Sequence, residues 1–215
     1  MLKGSDNPRP MITLAAPPCR ARALTPRVEI LGAFGSGKTT LAQQLAIHAQ
    51  FRLLPEDHSK NPFWGHSRAI EATGYLPYDL SFLIDHVHLA TALQPEPAGT
   101  VGICDWSFAT DRLWASMRLG VDLPAYDNVH SILLDRVGPP IGYLYLRQPA
   151  HVVVERVRLR GRGQEAAFAE YVTAATASVE ELAMTLPLPQ VQIVGDDDIS
   201  LALDRIRNWL RESVG

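Results

Sequence analysis

A glycine-rich segment, Gly32-Ala33-Phe34-Gly35-Ser36-Gly37-Lys38-Thr39 followed by Thr40, has the spacing of a phosphate-binding loop. Its glycines permit backbone torsions that turn successive N–H groups toward one concavity, where phosphate oxygens can accept hydrogen bonds. Lys38 can reach the outer phosphates of a nucleoside triphosphate, and the Thr39 hydroxyl can ligate Mg²⁺. The alternative is a chance glycine-rich turn, but a predicted strand precedes the segment and a predicted helix follows it. We therefore expect residues 32–40 to bind ATP, or another nucleoside triphosphate, together with Mg²⁺.

Short apolar strands alternate with predicted helices along the rest of the chain. This alternation predicts an α/β fold, in which helices cover both faces of a parallel sheet. The predicted strands are 27–31, 51–54, 100–104, 141–146 and 191–194. The predicted helices are 38–50, 108–118, 126–136, 150–160, 165–184 and 199–211, and 61–93 is mostly helical with a break near Gly74 and Pro77. Glu56 and Asp105 follow two of these strands, at the sheet edge where such folds place their chemistry.

The composition limits the classes of function. The chain has 215 residues, enough for one α/β domain over 27–215, and the prolines within 1–26 predict a flexible N-terminal tail. A net charge of -3 provides no basic field for nucleic acid. Cys19 and Cys104 are too few for a disulfide framework or a metal cluster. No apolar stretch is long enough to span a membrane and no signal-peptide core is present, so we expect a cytoplasmic protein.

From the loop onward the chain resembles the deoxyribonucleoside kinases, which transfer the ATP γ-phosphate to the 5′-hydroxyl of a deoxynucleoside. The order and spacing of the shared segments hold over about residues 28–185. The phosphate loop alone is common to many families, whereas the Asn-Pro-Phe segment and the arginine-rich segment are more specific. The four segments are Gly32 to Leu41; Glu56 to Phe63, which ends in Asn-Pro-Phe; Asp105-Trp106-Ser107 with Asp111, Arg112 and Ala115; and Glu155 to Glu165.

The resemblance implies an architecture and a set of roles. The architecture is a P-loop kinase three-layer fold, with a five-stranded parallel sheet flanked by helices and an arginine-rich lid at about 156–166. Glu56 would be the general base that takes the proton of the acceptor hydroxyl, although a solvated loop glutamate is the alternative. Asp105 would hold Mg²⁺ opposite Thr39, unless it is a helix N-cap, a role that Ser107 can fill instead. Glu165 would bond the sugar 3′-hydroxyl. The resemblance also implies a homodimer.

The lid contains four arginines that cannot all point the same way on a helix. Arg158 and Arg162 share one face, and Arg156 and Arg160 share another. A lid needs cations that close on the γ-phosphate as its charge redistributes. By position we expect Arg158, Arg160 and Arg162 to serve catalysis, with one or two of the four on a solvated face.

Three positions on the acceptor side depart from the family pattern. Trp106 stands where the family has an arginine that contacts the base glutamate and the 5′-oxygen; tryptophan cannot supply that charge, but it can stack on a substrate ring or pack. Counted from Asn61, Asp79 replaces a base-pairing glutamine. Its acceptor-only carboxylate would suit two donors such as guanine N1–H and N2–H, unless it faces solvent. Arg68 replaces a tyrosine that bonds the 3′-hydroxyl; it could meet a carboxylate or phosphate, or lie on the surface.

Two weaker patterns remain. His86 and His88 point to different faces of a predicted helix, so we do not expect a metal pair. One or two of the nearby aromatic residues could wall the acceptor pocket, although aromatics at such spacing are more often core. These residues are Phe63, Trp64, Tyr75 and Tyr78.

Three hypotheses follow. The first is an ATP-dependent kinase that acts on the 5′-hydroxyl of a nucleoside or nucleoside analogue. The second is a kinase for a nucleotide or another small alcohol on the same fold, favoured by Trp106, Asp79 and Arg68. The third and weakest is a nucleotide-binding regulator, which would have no need of Glu56, Asp105 and the lid together.

Overall fold

The structure is a computed structural model that describes residues 26–47, 51–92, 100–160, 166–187, 190–195, 203–206, 208–209 and 212. The predicted tail, apart from Pro26, lies outside the described residues, as do lid residues 161–165 and much of the predicted closing helix. The strands are β1 (Arg27–Leu31), β2 (Phe51–Leu54), β3 (Val101–Cys104), β4 (Gly142–Arg147) and β5 (Gln190–Val194). The helices are α1 (Lys38–Ala46), α2 (Ser67–Thr73), α3 (Leu76–Thr91), α4 (Phe108–Arg118), α5 (Leu123–Val137), α6 (Ala150–Leu159) and α7 (Ala166–Thr185).

The strands form a parallel sheet in the order β2-β3-β1-β4-β5. The chain runs outward from β1 to β2 and back through β3, then crosses to the other side of β1 to form β4. The strand order therefore reverses next to β1, which places a crevice at the carboxyl edge of the sheet. The predicted α/β class and parallel sheet flanked by helices are confirmed.

Alternating residues of the strands build the two faces of the sheet. From β1, Val28 and Ile30 pack with Leu41 and Leu45 of α1 on one face. On the opposite face, Leu31 packs with Val179 of α7 and with partly buried residues of α4. A third apolar cluster joins α3, α4 and α5 beside the sheet. These layers hold the carboxyl ends of β1, β2 and β3 in fixed relation to one another.

Element boundaries differ from the prediction where local backbone chemistry intervenes. The predicted break near Gly74 and Pro77 is confirmed: α2 ends at Thr73 and is capped by Gly74, whose φ of 72° suits glycine, and α3 starts with Pro77 in its first turn. The predicted helix 126–136 begins three residues earlier, at Leu123, because Pro124 is pre-organised for a first helical turn. No helix within the described ranges is long and apolar enough to cross a lipid bilayer.

Candidate active site

The carboxyl edge of the sheet brings together the segments that follow β1, β2 and β3. The glycine-rich loop connects β1 to α1, Glu56 follows β2, and Asp105 follows β3. The backbone N–H of Glu56 donates a hydrogen bond of 2.8 Å to Asp105 Oδ1, which ties the two carboxylate-bearing loops together. Glu56, Asp105, Lys38 and Phe34 all line one cavity.

Three glycines shape the phosphate loop. Gly35 and Gly37 have φ values of 77° and 106°, in the left-handed region that favours glycine. A Cβ on Gly32 would lie 2.6 Å from Ser36 Oγ and 3.2 Å from the Leu146 carbonyl oxygen, so no larger residue fits there without displacement. The loop conformation therefore depends on glycine at these positions.

Lys38 lies folded against the phosphate loop. Its Nζ donates hydrogen bonds of 2.8 Å to the Gly32 carbonyl and 3.1 Å to the Ala33 carbonyl. Removal of the ammonium group from water lowers the pKa of Lys38, while the negative charges of Glu56 and Asp105 act in the opposite direction. The charges of both carboxylates therefore act on Lys38. The lysine lies at the carboxyl edge of the sheet, where it can contact an anionic ligand in the cavity.

Glu56 is held between two histidines. Its Oε1 lies 3.3 Å from His86 Nε2 and its Oε2 lies 3.5 Å from His58 Nδ1. Burial alone would raise the pKa of Glu56, but its contacts with His58 and His86 lower it to about 2. The carboxylate is thus ionised at neutral pH, and it remains partly exposed to the cavity with 28% of its side chain accessible.

His86 continues this network into the protein interior. It is 1% exposed, and its Nδ1 lies 2.7 Å from Asp111 Oδ2. Burial would lower the pKa of His86, but Asp111 and Glu56 raise it to about 10. The Nε2–Glu56 contact is close but poorly aligned for a hydrogen bond, so it is chiefly an ion pair. Sequence reasoning did not join His86 to the site, because its partners come from three other segments.

Trp106 packs against this network. It is 3% exposed, and its ring stacks on the His86 ring at 4.2 Å with an interplanar angle of 3°. Its Nε1–H donates a hydrogen bond of 2.9 Å to the Leu54 carbonyl at the end of β2. Of the two sequence interpretations, packing accounts for nearly all of this side chain, although its remaining edge lines the cavity.

Asp79 does not face solvent, so that alternative is wrong. It is 4% exposed and bound bidentately by Arg118, through Nη2 to Oδ1 and Nε to Oδ2. Burial raises the pKa of Asp79, and the Arg118 hydrogen bonds oppose that rise. Asp79 and Arg118 both line the cavity, so its wall presents a carboxylate–guanidinium pair and not a lone carboxylate. Arg118 was not singled out in the sequence, since nothing local marks the last residue of α4 as a pocket residue.

Aromatic side chains form most of the remaining wall. Phe34 of the phosphate loop stacks on Trp114 of α4 at 4.3 Å, which links the loop to the acceptor side. Trp64 and Tyr78 line the cavity, whereas Phe63 and Tyr75 are not among its lining residues. The aromatic lining residues are Phe34, Trp64, Tyr78, Phe82, Trp106 and Trp114.

The contacts of the described lid arginines differ from those that the sequence predicted. Arg156, which we did not select, donates from Nη1 to the Ser36 carbonyl at 3.2 Å and so contacts the phosphate loop. Arg158 and Arg160 are exposed, and the charge of Arg160 contributes to lowering the pKa of Lys38. Arg162 and Glu165 lie outside the described residues.

Two predicted contacts can be compared directly with the described geometry. Arg68 is exposed on α2 and is not among the residues that line the cavity, which corresponds to the surface alternative. Thr39 and Thr40 are exposed in the first turn of α1, which is the positive end of that helix.

The residues suited to Mg²⁺ are Thr39 and Asp105. Asp105 uses Oδ1 to accept from Glu56, and no hydrogen bond to its Oδ2 is present among the described residues. No group of three or more His, Cys, Asp or Glu able to hold a metal occurs in the described part of the chain. A single carboxylate with a hydroxyl fits Mg²⁺, which takes few protein ligands and completes its shell with water and phosphate oxygens.

Glu29 is a further residue that the sequence did not identify. It is fully buried in β1, and it accepts hydrogen bonds from Ser107 Oγ at 2.9 Å and the Phe108 N–H at 3.1 Å. Burial raises its pKa, while the neighbouring Arg27 charge lowers it. Its carboxylate lies at the positive end of α4 and so fixes the segment that carries Asp105. Ser107 caps α4 by accepting from the Ala109 N–H, which is the N-cap role that the sequence allowed it to fill instead of Asp105.

Comparison with known proteins gives a structural match without a sequence match. No family model matches the chain, and no curated protein matches it by sequence. Among solved structures, deoxyadenosine kinase from M. mycoides with bound dCTP superposes with a TM-score of 0.68 at 16% identity, covering 86% of this chain and 99% of the other.

The same kinase with bound dATP gives a TM-score of 0.64 at 17% identity, covering 86% of this chain and 98% of the other. With the products dCMP and a flexible dCDP it gives 0.65 at 18% identity over the same shares. This chain therefore has a deoxynucleoside kinase-like fold.

Proposed function

We propose that this protein transfers the γ-phosphate of ATP, with Mg²⁺, to the 5′-hydroxyl of a nucleoside or nucleoside-like acceptor. The observation that carries this proposal is the position of Glu56. Its ionised carboxylate opens into an aromatic-walled cavity that Lys38 of the phosphate loop also lines. A protein that only binds a triphosphate has no need of a carboxylate held at that place.

The donor side rests on the phosphate loop and the lid. We place the triphosphate on the N–H groups of residues 32–40, at the N-terminus of α1. Lys38 would turn from the loop carbonyls to the outer phosphates, and Arg156, already hydrogen-bonded to the loop, adds a second cation.

Thr39 and Asp105 would hold Mg²⁺, which supplies positive charge to the phosphate oxygens. We assign Arg158, Arg160 and Arg162 to lid closure, and the charge of Arg160 already acts on Lys38.

The reaction is a single in-line displacement. The acceptor hydroxyl oxygen forms a bond to the γ-phosphorus while the bond from that phosphorus to the β–γ bridging oxygen breaks, and ADP leaves. The hydroxyl proton passes to Glu56. With a pKa of about 2, Glu56 is a weak base that acts mainly by orienting the hydroxyl, which suits a loose transition state in which little proton transfer precedes bond cleavage.

The acceptor would lie between the aromatic wall and the Asp79–Arg118 pair. Aromatic side chains such as Trp64 and Phe82 offer faces on which a planar base can stack. The pair presents carboxylate acceptors beside guanidinium donors, so it suits a base edge with a donor next to an acceptor. Structures of the similar kinase with dCTP, dATP and dCMP support a nucleoside-sized ligand in a fold of this kind. We assign no direct acceptor contact to Arg68 in its present position, and we retain Glu165 as a proposed 3′-hydroxyl ligand.

A second candidate is a kinase for a nucleoside monophosphate or another anionic alcohol. Arg118 favours it, because this cation lines the cavity, with its guanidinium carbon 5.4 Å from the centre of the Tyr78 ring. We further propose, from the family resemblance, a cytoplasmic homodimer that serves nucleoside salvage.

ADP release from MgATP tests the proposal. Purified full-length protein is assayed with deoxynucleosides, ribonucleosides and their monophosphates, and Glu56→Gln is compared with Glu71→Gln, an exposed glutamate on α2. We expect one acceptor class to stimulate ADP release, a loss of about 100-fold or more in Glu56→Gln, and no change in Glu71→Gln. Stimulation by monophosphates alone would favour the second candidate. ATP binding without stimulation by any acceptor would contradict both.

A further inference from the structure

The proposed base has lost the positive partner that the resemblance assigns to position 106. In the deoxyribonucleoside kinase pattern an arginine at that position contacts the base glutamate, and here the residue is Trp106. Its Nε1–H is directed to the Leu54 carbonyl, so it makes no charged contact with Glu56. A carboxylate that must stay ionised and correctly oriented in a half-buried position needs another cation nearby.

His86 occupies the position from which this charge can be supplied. Its Nε2 is 3.3 Å from Glu56 Oε1, its Nδ1 is 2.7 Å from Asp111 Oδ2, and Trp106 covers one face of its ring. We infer that His86 is a positioning residue for Glu56: its imidazolium, held between Asp111 and Trp106, replaces the missing arginine as the cation that fixes the base carboxylate. This inference rests on the proposed function of Glu56.

The positions of the two carboxylates favour a proton on each ring nitrogen. Each nitrogen faces a carboxylate oxygen, and an ionised carboxylate only accepts hydrogen bonds. A neutral imidazole would direct a nitrogen lone pair at one of the two carboxylates, which is repulsive around a ring that is only 1% exposed. The direction of the His86 pKa shift agrees with a protonated ring.

The charged groups around His86 come from all the elements packed against it. Glu56 follows β2, Asp111 belongs to α4, and both touch the ring. Farther out, His58 and Lys38 act on Glu56, while Asp79 of α3 is neutralised by its pair with a guanidinium. The two nearest groups are therefore anionic, whereas His58 contacts Glu56 and Lys38 interacts with Glu56 through its charge.

His86 and Trp106 together thus take the role that the family pattern assigns to one arginine: His86 supplies the positive charge and Trp106 orients it. The flat Trp106 ring, stacked on His86, sets the plane of the imidazole. Asp111, which contacts Nδ1, sets the orientation of the imidazole within that plane. His86 is 1% exposed and is not among the residues lining the cavity, so it acts on the acceptor only through Glu56. A purely structural His86–Asp111 ion pair would need no particular orientation toward Glu56.

Steady-state kinetics of His86→Gln provide the first test, with His88→Gln as the matched control because His88 is exposed on the same helix. With the acceptor that the wild type uses, we expect kcat to fall at least about 10-fold in His86→Gln, while the KM for ATP stays within about 2-fold. His88→Gln should match the wild type. A folded His86→Gln protein with wild-type kcat would overturn the inference.

A spectroscopic test is independent of turnover. The ring ¹⁵N shifts of His86, assigned by single histidine substitutions, are recorded at pH 8 in the wild type and in Glu56→Gln. We expect two protonated ring nitrogens in the wild type and a clear shift of Nε2 in the variant. A neutral ring, or an Nε2 signal unaffected by Glu56→Gln, would overturn the inference even if His86→Gln did not fold. Absence of acceptor-dependent turnover in the wild type would instead refute the proposed function and leave this test decisive for the ion pair.

Discussion

The buried imidazolium of His86 should make the stability of the protein depend on pH in the alkaline direction. In the folded protein its pKa is raised from 6.5 to about 10, mainly by Asp111 and against the effect of burial. A group with a raised pKa stabilises the fold fully below its unfolded value, and that stabilisation is lost as pH rises toward the folded value. The sensitive window therefore runs from about pH 6.5 to about pH 10.

The size of the effect follows from the two pKa values. Within this window the folded state holds one proton more than the unfolded state, so the unfolding free energy falls by about 1.4 kcal/mol per pH unit. Between pH 7 and pH 9 the wild type should lose roughly 2 to 3 kcal/mol from this residue. Burial also raises the pKa of the Cys104 thiol, and deprotonation of that thiol on unfolding adds a further loss at the upper end of the range.

Urea unfolding followed by tryptophan fluorescence at pH 7, 8 and 9 measures this dependence. The wild type is compared with His86→Gln, which keeps Cys104 and every other titrating group, so the difference between the two proteins isolates His86. We expect the variant to be less stable at pH 7 and the gap between the proteins to narrow by about 2 kcal/mol at pH 9. Parallel pH profiles for the two proteins would refute the assignment of a protonated, doubly paired imidazole.

Three further predictions concern the neighbouring contacts. Trp106→Phe should lower the unfolding free energy by about 1 to 3 kcal/mol in urea at pH 7, because the Leu54 carbonyl loses its donor; unchanged stability would contradict this. Arg156→Ala should raise the KM for ATP several-fold and leave the acceptor KM unchanged in initial-rate assays, since Arg156 bonds the phosphate loop; equal rises would count against it. Gly32→Ala should weaken binding of a fluorescent ATP analogue several-fold, because the added Cβ would lie 2.6 Å from Ser36 Oγ and 3.2 Å from the Leu146 carbonyl oxygen; wild-type affinity would disprove this steric argument.

The phosphate loop and the strand-end carboxylates could be predicted because their positions follow from local sequence and sheet topology. The loop needs glycines and a lysine at fixed spacing, and a parallel sheet carries the residues after β1, β2 and β3 to one edge whatever the surrounding helices do. The Asp105 and Glu56 loops meet as that rule requires, joined by a hydrogen bond of 2.8 Å.

The acceptor side could not be predicted, because it depends on how helices distant in sequence pack together. The Asp79–Arg118 pair joins α3 to the end of α4, and His86 meets Asp111 across the same interface. Each of these residues has an ordinary solvated interpretation on its own helix. These carboxylates and cations become partners only because α3 packs closely against α4. The spacing of residues in the sequence does not specify how closely the two helices pack.

The proposed transfer can be tested most directly by following the γ-phosphate itself. The protein is incubated with γ-³²P-labelled MgATP and the acceptor that most stimulates ADP release, and the products are separated and the labelled position identified. We predict that the label moves to the acceptor 5′-oxygen in stoichiometric amount with ADP, and that Glu56→Gln abolishes this transfer. Label found only in inorganic phosphate, with every acceptor tried, would contradict the account.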